Sequence, residues 1–203
     1  MASGYDRDGL IGLLKRDSLR TGEFTLASGR QSHYYVDGRK VTLSADGAER
    51  IADGMLEILA HHPEIQAVGG LTMGADPIVG AILARAHAYG RSDLKGFLVR
   101  KEAKGHGTGR QVEGPVETGM TVAIVDDVAT TGGSSLLAVD AIEAMGGTVS
   151  VVLAVLDRLE GAAENFAARG LPFRTLLTIR DLGVEPLGAY HPQVESLPPL
   201  QGP

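Results

Sequence analysis

The alternation of short apolar runs with helical stretches constrains the fold of this chain more than any other feature. The apolar runs cover Ala67–Leu71, 97–99, 122–125 and 149–156, and the helical stretches cover 77–88, 134–145 and Ala162–Ala168. Strands that alternate with helices in this way predict a parallel sheet with helices on both faces. Ligands bind beyond the carboxyl ends of the strands in such sheets, so the loops after the apolar runs are the candidate functional segments.

The N-terminal part predicts a small separate lobe. Short strands are predicted at 24–26 and 33–36 around a Ser-Gly turn, and a longer helix at Ala45–Leu59 with Ser44 as its N-cap. An amphipathic first helix is predicted from Leu10, Ile11, Leu13 and Leu14. We expect residues 1–203 to form one domain, because domains of about 100 to 200 residues are common.

The overall composition excludes several classes of function. The formal charge is −6 and only 4% of the residues are aromatic, so we expect no nucleic-acid partner, which would usually require a basic face. The first apolar stretch, 10–14, is too short for a membrane span and follows acidic residues, unlike a signal peptide. We therefore expect a cytoplasmic protein without a membrane partner. Because the chain has no cysteine, a metal would need oxygen or imidazole ligands.

The positive charge is concentrated in one short segment. Residues 100–110, RKEAKGHGTGR, contain four of the nineteen Lys and Arg residues together with His106, against one acid. Glycine at 105, 107 and 109 gives the backbone freedom that a closing loop needs. This composition indicates a loop that binds an anion; the alternative is a solvated charged loop without a ligand.

The strongest motif is VAIVDDVATTGGSS, residues 122–135. Its apolar run places Asp126 and Asp127 at the predicted end of a strand, and a loop of hydroxyl and glycine residues then leads into a helix. Backbone N–H groups at a helix N-terminus are suited to hold a phosphomonoester, and two adjacent carboxylates can accept hydrogen bonds from ribose hydroxyls. Neither GxxxxGK[ST] nor GxGxxG follows this run, so a Walker loop or a dinucleotide site is not indicated. The alternative is that these residues only form a turn and cap a helix.

The segment VDDVATTGG resembles the signature with which type I phosphoribosyltransferases bind 5-phosphoribosyl 1-pyrophosphate (PRPP). The resemblance implies an α/β fold with a central five-stranded parallel sheet flanked by helices and a small hood over the site. The hood would come mainly from residues 1–40 and the C-terminal segment, and the core from about 45–180. Asp126 and Asp127 would hold the ribose hydroxyls, and residues 129–134 would cradle the 5-phosphate.

Three further segments resemble the orotate phosphoribosyltransferase branch of that family. In GEFTLASGRQSHYYVD, Tyr34 and Tyr35 would lie beside the pyrimidine; the alternative is a surface strand with core tyrosines. In RKEAKGHGTG, the cations would surround the pyrophosphate and stabilise the charge that grows on it as it leaves. In LDRLEG, Arg158 would pair with the orotate carboxylate through two parallel hydrogen bonds.

The resemblance implies a complete set of site residues. PRPP would be bound by Arg100, Lys101, Lys104, His106, Asp126, Asp127, Val128, Ala129, Thr130, Thr131, Gly132, Gly133 and Ser134. Orotate would be bound by Tyr34, Tyr35, Thr130 and Arg158, and the catalytic residues would be Lys104, His106, Asp126 and Asp127. The implied cofactor is Mg²⁺, held mainly by pyrophosphate and ribose oxygens and water, so we predict no direct protein ligand. A homodimer is also implied, in which the basic loop completes the neighbouring site.

Two positions depart from the pattern of many family members, which carry lysine where this chain has Ala27 and near Met73. The segment GGLTMGADPIVGA, 69–81, resembles the pyrophosphate loop, in which residues 72–75 would turn backbone amides toward the diphosphate; Asp76 is alternatively a cap of the following helix. Two other functions stay open at this point. One is a phosphoribosyltransferase for a purine or uracil, and the other is a regulator that senses PRPP without transferring its phosphoribosyl group.

Overall fold

The computed structural model describes residues 4–25, 31–102 and 111–187. Two sheets organise these residues: an antiparallel pair near the N-terminus and a larger six-stranded sheet. The strands are β1 Leu19–Thr25, β2 Gln31–Val36, β3 Ala67–Leu71, β4 Lys95–Val99, β5 Val112–Glu113, β6 Thr121–Ala129, β7 Thr148–Asp157 and β8 Phe173–Thr178. The α-helices are α1 Arg7–Leu13, α2 Arg39–Thr42, α3 Ala45–Leu59, α4 Asp76–Ala86, α5 Gly133–Ala144 and α6 Ala162–Ala168.

The larger sheet has the strand order β5-β4-β3-β6-β7-β8. Every pairing from β4 to β8 is parallel, so the described residues contain the predicted five-stranded parallel sheet. The short strand β5 adds an antiparallel edge beside β4, which was not predicted. Because β3 and β6 are neighbours at the centre of the sheet, the loops after them meet at one edge, where a ligand site is expected.

The strand β6 divides the hydrophobic core between the two faces of the sheet. Ala123 and Val125 pack in a cluster with residues of α3 and α4, whereas Val122 and Ile124 pack in a second cluster with residues of α5 and α6. This division follows from the alternation of side chains along a strand. The prediction that helices cover both faces of the sheet is confirmed.

Several predicted elements agree with the structure, and one strand was missed. The bounds of α3, β3 and α6 match the prediction, and Ser44 caps α3 by accepting a 3.1 Å hydrogen bond from the Gly47 N–H. The strand β8 was not predicted individually because Arg174 and Thr175 interrupt its apolar pattern. It is nevertheless paired along its length with β7.

The β1–β2 hairpin corresponds to the predicted N-terminal lobe. Burial alternates strictly along β2, and this places Tyr34 and Val36 inside and Tyr35 outside. The predicted Ser-Gly turn, the position Ala27 and the C-terminal residues 188–203 lie outside the described residues. The limits of the hood and the core therefore stay predictions. In the described part of the chain, no helix combines the length and the apolar character needed to cross a membrane.

Candidate active site

A cleft of about 300 Å³ opens at the carboxyl ends of β3 and β6. Its walls come from the end of β2 and the start of α2, from the loop after β3, and from the predicted ribose and phosphate motif. The lining residues are Tyr35, Val36, Asp37, Gly38, Arg39, Leu71, Thr72, Met73, Gly74, Asp126, Asp127, Val128 and Ser134. Segments distant in the sequence thus converge where the parallel sheet predicts a ligand site.

The sequence predicted Asp126 and Asp127 at the end of a strand. In the structure both lie within strand β6. The strand continues to Ala129, and Asp126 is paired with Ala154 of β7. The apolar pattern stops at Val125, but pairing with β7 continues and extends the strand through the acids. Neighbouring side chains in a strand point to opposite faces, so Asp126 is buried while Asp127 is half-buried.

The Asp126 carboxylate is held by two hydrogen bonds. Ser135 Oγ donates to Oδ2 at 2.8 Å, and the Asp127 N–H donates to Oδ1 at 3.0 Å. Burial, followed by repulsion from the Asp127 carboxylate, raises the pKa of Asp126 to about 7 despite these donors. A carboxyl group with this pKa changes charge near neutral pH, which is typical of a functional site. Ser135 was not among the predicted site residues.

Two glycines bring the backbone close to these carboxylates. A Cβ atom on Gly74 would lie 2.9 Å from Asp127 Oδ1 and 3.0 Å from Asp126 Oδ1. A Cβ atom on Gly38 would lie 2.7 Å from Asp127 Oδ2. Glycine at 74 therefore keeps free the space on which both carboxylates converge, and a ribose with two neighbouring hydroxyls fits that arrangement of acceptors.

The predicted phosphate loop forms a second cavity of about 230 Å³ beside the cleft. Its lining consists of Asp126, Val128, Thr130, Thr131, Gly132, Gly133 and Ser134, and the loop leads directly into α5. Backbone N–H groups at the start of this helix are suited to a phosphate. Ala129 is the remaining predicted residue of this segment, and it is only 2% exposed.

Residues of α6 fix the conformation of this loop. Gly132 has φ +78°, and a Cβ atom there would lie 2.5 Å from Phe166 Cζ. Asn165 Nδ2 donates a 2.8 Å hydrogen bond to the Thr131 carbonyl oxygen. These contacts come from a helix more than thirty positions further along the chain, so the motif itself carries no signal for them.

Arg158 is buried against Tyr34 and Glu160. Its guanidinium carbon lies 4.8 Å from the centre of the Tyr34 ring, and Nη2 lies 2.9 Å from Glu160 Oε1. Nη2 is therefore ion-paired with Glu160, although it makes no hydrogen bond with the described residues. Glu160, itself 1% exposed, was missed because the sequence alone does not indicate which side chain pairs with Arg158.

The structure separates the two predicted orotate tyrosines. Tyr34 has no exposed surface, and its hydroxyl donates to Glu160 Oε1 at 2.7 Å. Tyr35 is 39% exposed and lines the cleft, with its ring 5.9 Å from that of Phe24. Neighbours on a strand point to opposite faces, so of the two rings that of Tyr35 lines the cleft and that of Tyr34 packs inside. In this conformation only Tyr35 offers a ring surface to a ligand.

The two ends of the basic segment are joined at the sheet edge. The Arg100 N–H donates to the Gln111 carbonyl oxygen at 2.9 Å, and Arg100 Nε donates to Glu113 Oε1 at 3.1 Å. Lys101 is exposed at the start of the segment. Lys104 and His106, the predicted leaving-group residues, lie outside the described residues.

The structure contradicts one of the two interpretations of the loop after β3, in which Asp76 caps the following helix. Asp76 does not cap α4 through its side chain, and its buried Oδ1 has no hydrogen-bond partner in the described structure. Burial raises the pKa of this carboxyl group. Across residues 4–25, 31–102 and 111–187, no group of three or more His, Asp or Glu side chains is arranged to hold a metal.

The parallel sheet, the paired acids and the phosphate loop at one edge define a type I phosphoribosyltransferase. The chain is 53% identical to an orotate phosphoribosyltransferase of Rhodopirellula baltica over 182 residues, which is 87% of this chain and 94% of that protein. It belongs to the orotate phosphoribosyltransferase family. A relative of that name from Mycobacterium tuberculosis is 45% identical and covers 90% of this chain and 99% of its own length. No protein-family model matches the chain.

Solved structures support the same assignment. The M. tuberculosis orotate phosphoribosyltransferase in complex with PRPP has a TM-score of 0.74 and 41% identity, covering 88% of this chain and 99% of its own. The enzyme of that name from Aeropyrum pernix has a TM-score of 0.70 and 34% identity, covering 85% and 95%. An adenine phosphoribosyltransferase from Leishmania donovani, at 20% identity and a TM-score of 0.59, shares the fold.

Proposed function

We propose that this protein transfers the phosphoribosyl group of PRPP to N1 of orotate, forming orotidine 5-monophosphate and pyrophosphate. The bond from the anomeric carbon to the pyrophosphate oxygen breaks, and a bond from the same carbon to N1 forms. The observation that carries the proposal is the convergence of the Asp126 and Asp127 carboxylates on the space above Gly74, beside the phosphate loop. The identity of 53% to an orotate phosphoribosyltransferase supports the choice of reaction.

Asp126 and Asp127 bind the ribose in this proposal. Their oxygens accept hydrogen bonds from its neighbouring hydroxyls, and residues 129–134 hold the 5-phosphate beside them. As the leaving bond breaks, positive charge develops on the ribose, and nearby carboxylates stabilise it more than they stabilise the neutral ground state. Holding both ends of the sugar also fixes the anomeric carbon relative to the base.

Arg158 selects orotate by pairing with its carboxylate. The buried Nη2 supports this role, because it makes an ion pair with Glu160 but no hydrogen bond with the described residues, and a ligand carboxylate could accept its N–H. Tyr35 supplies a ring surface at the cleft, and Thr130 contacts the base in this proposal. Tyr34 supports Arg158, because its ring packs against the Arg158 guanidinium.

The basic segment stabilises the leaving pyrophosphate. Arg100 and Lys101 begin that segment, and Lys104 and His106 are the proposed groups that stabilise or protonate the leaving oxygen. A Lys104→Ala variant is expected to lose most of its turnover while it keeps its melting temperature. Turnover near that of the unmodified protein would refute the role of Lys104.

Mg²⁺ is the proposed cofactor. Pyrophosphate, ribose and water oxygens would supply most of its coordination shell, and the Asp126 and Asp127 carboxylates that converge near Gly74 would add negative charge that favours the cation there. The ion would neutralise charge on the pyrophosphate. Removal of Mg²⁺ with EDTA is expected to abolish transfer, and renewed addition is expected to restore it.

A homodimer is proposed, in which the basic segment of one subunit completes the site of the other. Exposed apolar residues beside the cleft support a contact surface there: Leu43 is 73% exposed and Met73 is 69% exposed, and both line a neighbouring cavity with Pro77. Light scattering would measure the number of subunits. Mixing Lys104→Ala with a variant that lacks Asp127 would test the shared site, because activity should recover where an intact basic segment from one variant meets an intact acid pair from the other.

The cytoplasmic location also stays a prediction.

The proposed reaction is tested by mixing the protein with PRPP, Mg²⁺ and each of orotate, uracil, adenine and hypoxanthine. Loss of orotate absorbance together with formation of pyrophosphate is the expected result, with no product from the other bases. Product from uracil or a purine would replace the proposed substrate. Binding of PRPP without any product would indicate the regulator that the sequence left open.

A further inference from the structure

The cleft at the paired acids has an unbalanced charge. Its lining contains the carboxylates of Asp37, Asp126 and Asp127 and, among the described residues, a single cationic side chain, that of Arg39. PRPP carries a phosphate and a diphosphate, and carboxylates in the same cleft repel both of these groups. Arg39 is therefore the one cationic side chain of the described lining that can attract the phosphates of PRPP, although it is half exposed.

Arg39 is held by an interaction that leaves part of its guanidinium available. Its Nε donates to Asp37 Oδ1 at 3.0 Å, and neither Nη1 nor Nη2 makes a hydrogen bond or an ion pair with the described residues. The side chains of Arg39 and Asp37 are 49% and 21% exposed, and pairs this exposed contribute only about 0–1 kcal/mol. The free edge of a guanidinium presents two parallel donors, which matches two oxygens of a phosphate group.

The loop after β3 supplies further donors but no charge. The backbone N–H groups of Met73 and Gly74 donate to no backbone acceptor in the part of the chain that the structure describes, and both residues line the same cleft as Arg39. The Met73 side chain is uncharged. Amide donors on one wall and a guanidinium on the other form an arrangement that suits the diphosphate and not the ribose, whose hydroxyls face the carboxylates.

We propose that Arg39 binds the diphosphate of PRPP through the Nη edge of its guanidinium. It supplies the positive charge that the loop containing Met73 does not supply. This inference rests on the proposed PRPP-dependent function and assigns a specific residue to it. Gly38 places Arg39 there, because its backbone packs directly against Asp127.

The test measures binding by calorimetry in the presence of Mg²⁺, with PRPP, pyrophosphate and ribose 5-phosphate as separate ligands. The variants are Arg39→Ala, Arg39→Lys and the matched control Lys40→Ala. Lys40 follows Arg39 in α2 and carries the same charge, but it does not line the cleft and interacts with Asp17 instead. Melting temperatures confirm that each variant folds.

Arg39→Ala is expected to weaken PRPP and pyrophosphate by about tenfold or more and to leave ribose 5-phosphate within about twofold. Arg39→Lys should retain part of the affinity, and Lys40→Ala should retain nearly all of it. Unchanged PRPP binding by Arg39→Ala, or an equal loss in Lys40→Ala, would overturn this inference alone. If the unmodified protein binds no PRPP, the proposed function fails and the inference fails with it.

Discussion

The Tyr34 hydroxyl donates a 2.7 Å hydrogen bond to Glu160 Oε1, joining the N-terminal hairpin to the loop after β7. Both side chains are buried, with Tyr34 at 0% and Glu160 at 1% exposure. Burial and the hydrogen bond to Glu160 raise the pKa of Tyr34 to about 12, so the hydroxyl stays protonated and remains a donor. The hairpin is therefore attached to the residue that holds Arg158.

Tyr34→Phe removes this donor and leaves a buried carboxylate with one partner fewer. We expect the free energy of unfolding to fall by about 1–3 kcal/mol, and the KM for orotate to rise while the KM for PRPP stays unchanged. Tyr5→Phe is the matched control, because the buried Tyr5 hydroxyl has no hydrogen-bond partner among the described residues. Denaturant titration and steady-state kinetics measure these effects. An equal loss of stability in both variants would contradict the prediction.

Gly74→Ala places a methyl group on the point where the two carboxylates converge. The KM for PRPP should rise about tenfold or more, because the methyl group occupies the space proposed for the ribose hydroxyls. Gly80→Ala, in α4, is the control, since its Cβ would meet nothing within 4 Å. Comparable KM values for PRPP in the two variants would argue against this position for the ribose.

Gly132→Ala combines backbone strain with a clash against Phe166. A residue other than glycine at φ +78° costs roughly 1–2 kcal/mol, and the Cβ contact at 2.5 Å adds to this cost. Gly170→Ala isolates the first effect, because Gly170 has φ +67° and open space around its Cβ. Gly132→Ala should therefore lose more stability than Gly170→Ala and should bind ribose 5-phosphate more weakly. Calorimetry and thermal melting measure both quantities.

Asp126 should make the stability of the protein depend on pH. Its pKa is raised from 3.8 to about 7, first by burial and then by Asp127. Between these values the folded protein holds a proton that the unfolded chain releases. The contribution of Asp126 to the free energy of unfolding therefore falls as the pH rises through this range and is constant above it.

Asp126→Asn removes this titration. The stability of the unmodified protein relative to the variant should decrease by roughly 2 kcal/mol between about pH 5 and about pH 8, as denaturant titration would measure. The exposed Asp140→Asn, which removes a carboxylate outside the cleft, serves as the control. The affinity of the unmodified protein for PRPP should rise over the same range, because the ionised carboxylate is the better acceptor. A flat affinity profile would speak against ionised Asp126 as a ribose ligand.

The parallel sheet could be predicted because its central strands consist of uninterrupted apolar residues, as in 122–125. The strand β8 could not, since Arg174 and Thr175 hide its apolar face. The paired acids and the predicted phosphate loop line adjoining cavities, as their adjacency in the sequence favours. Glu160 and Asn165 act on residues far away in the chain, so only the folded structure connects them to the site.

The two tyrosines show a different limit. Their adjacency in the sequence favoured a shared role, whereas the alternation of a strand places Tyr34 and Tyr35 on opposite faces. The same alternation applies to Asp126 and Asp127, whose carboxylates nevertheless converge. Gly74, which has no side chain, lets the neighbouring loop approach both of them.

Arg100 and Gln111 are joined by two hydrogen bonds, from Arg100 N to the Gln111 carbonyl oxygen at 2.9 Å and from Gln111 Nε2 to the Arg100 carbonyl oxygen at 3.1 Å. The entropic cost of closing the chain between these anchors grows only slowly with the number of enclosed residues. We therefore expect insertions, deletions and changes of charge between the two anchors to leave the register of the sheet unchanged. The segment proposed to meet the leaving group can therefore evolve separately from the part proposed to hold the sugar.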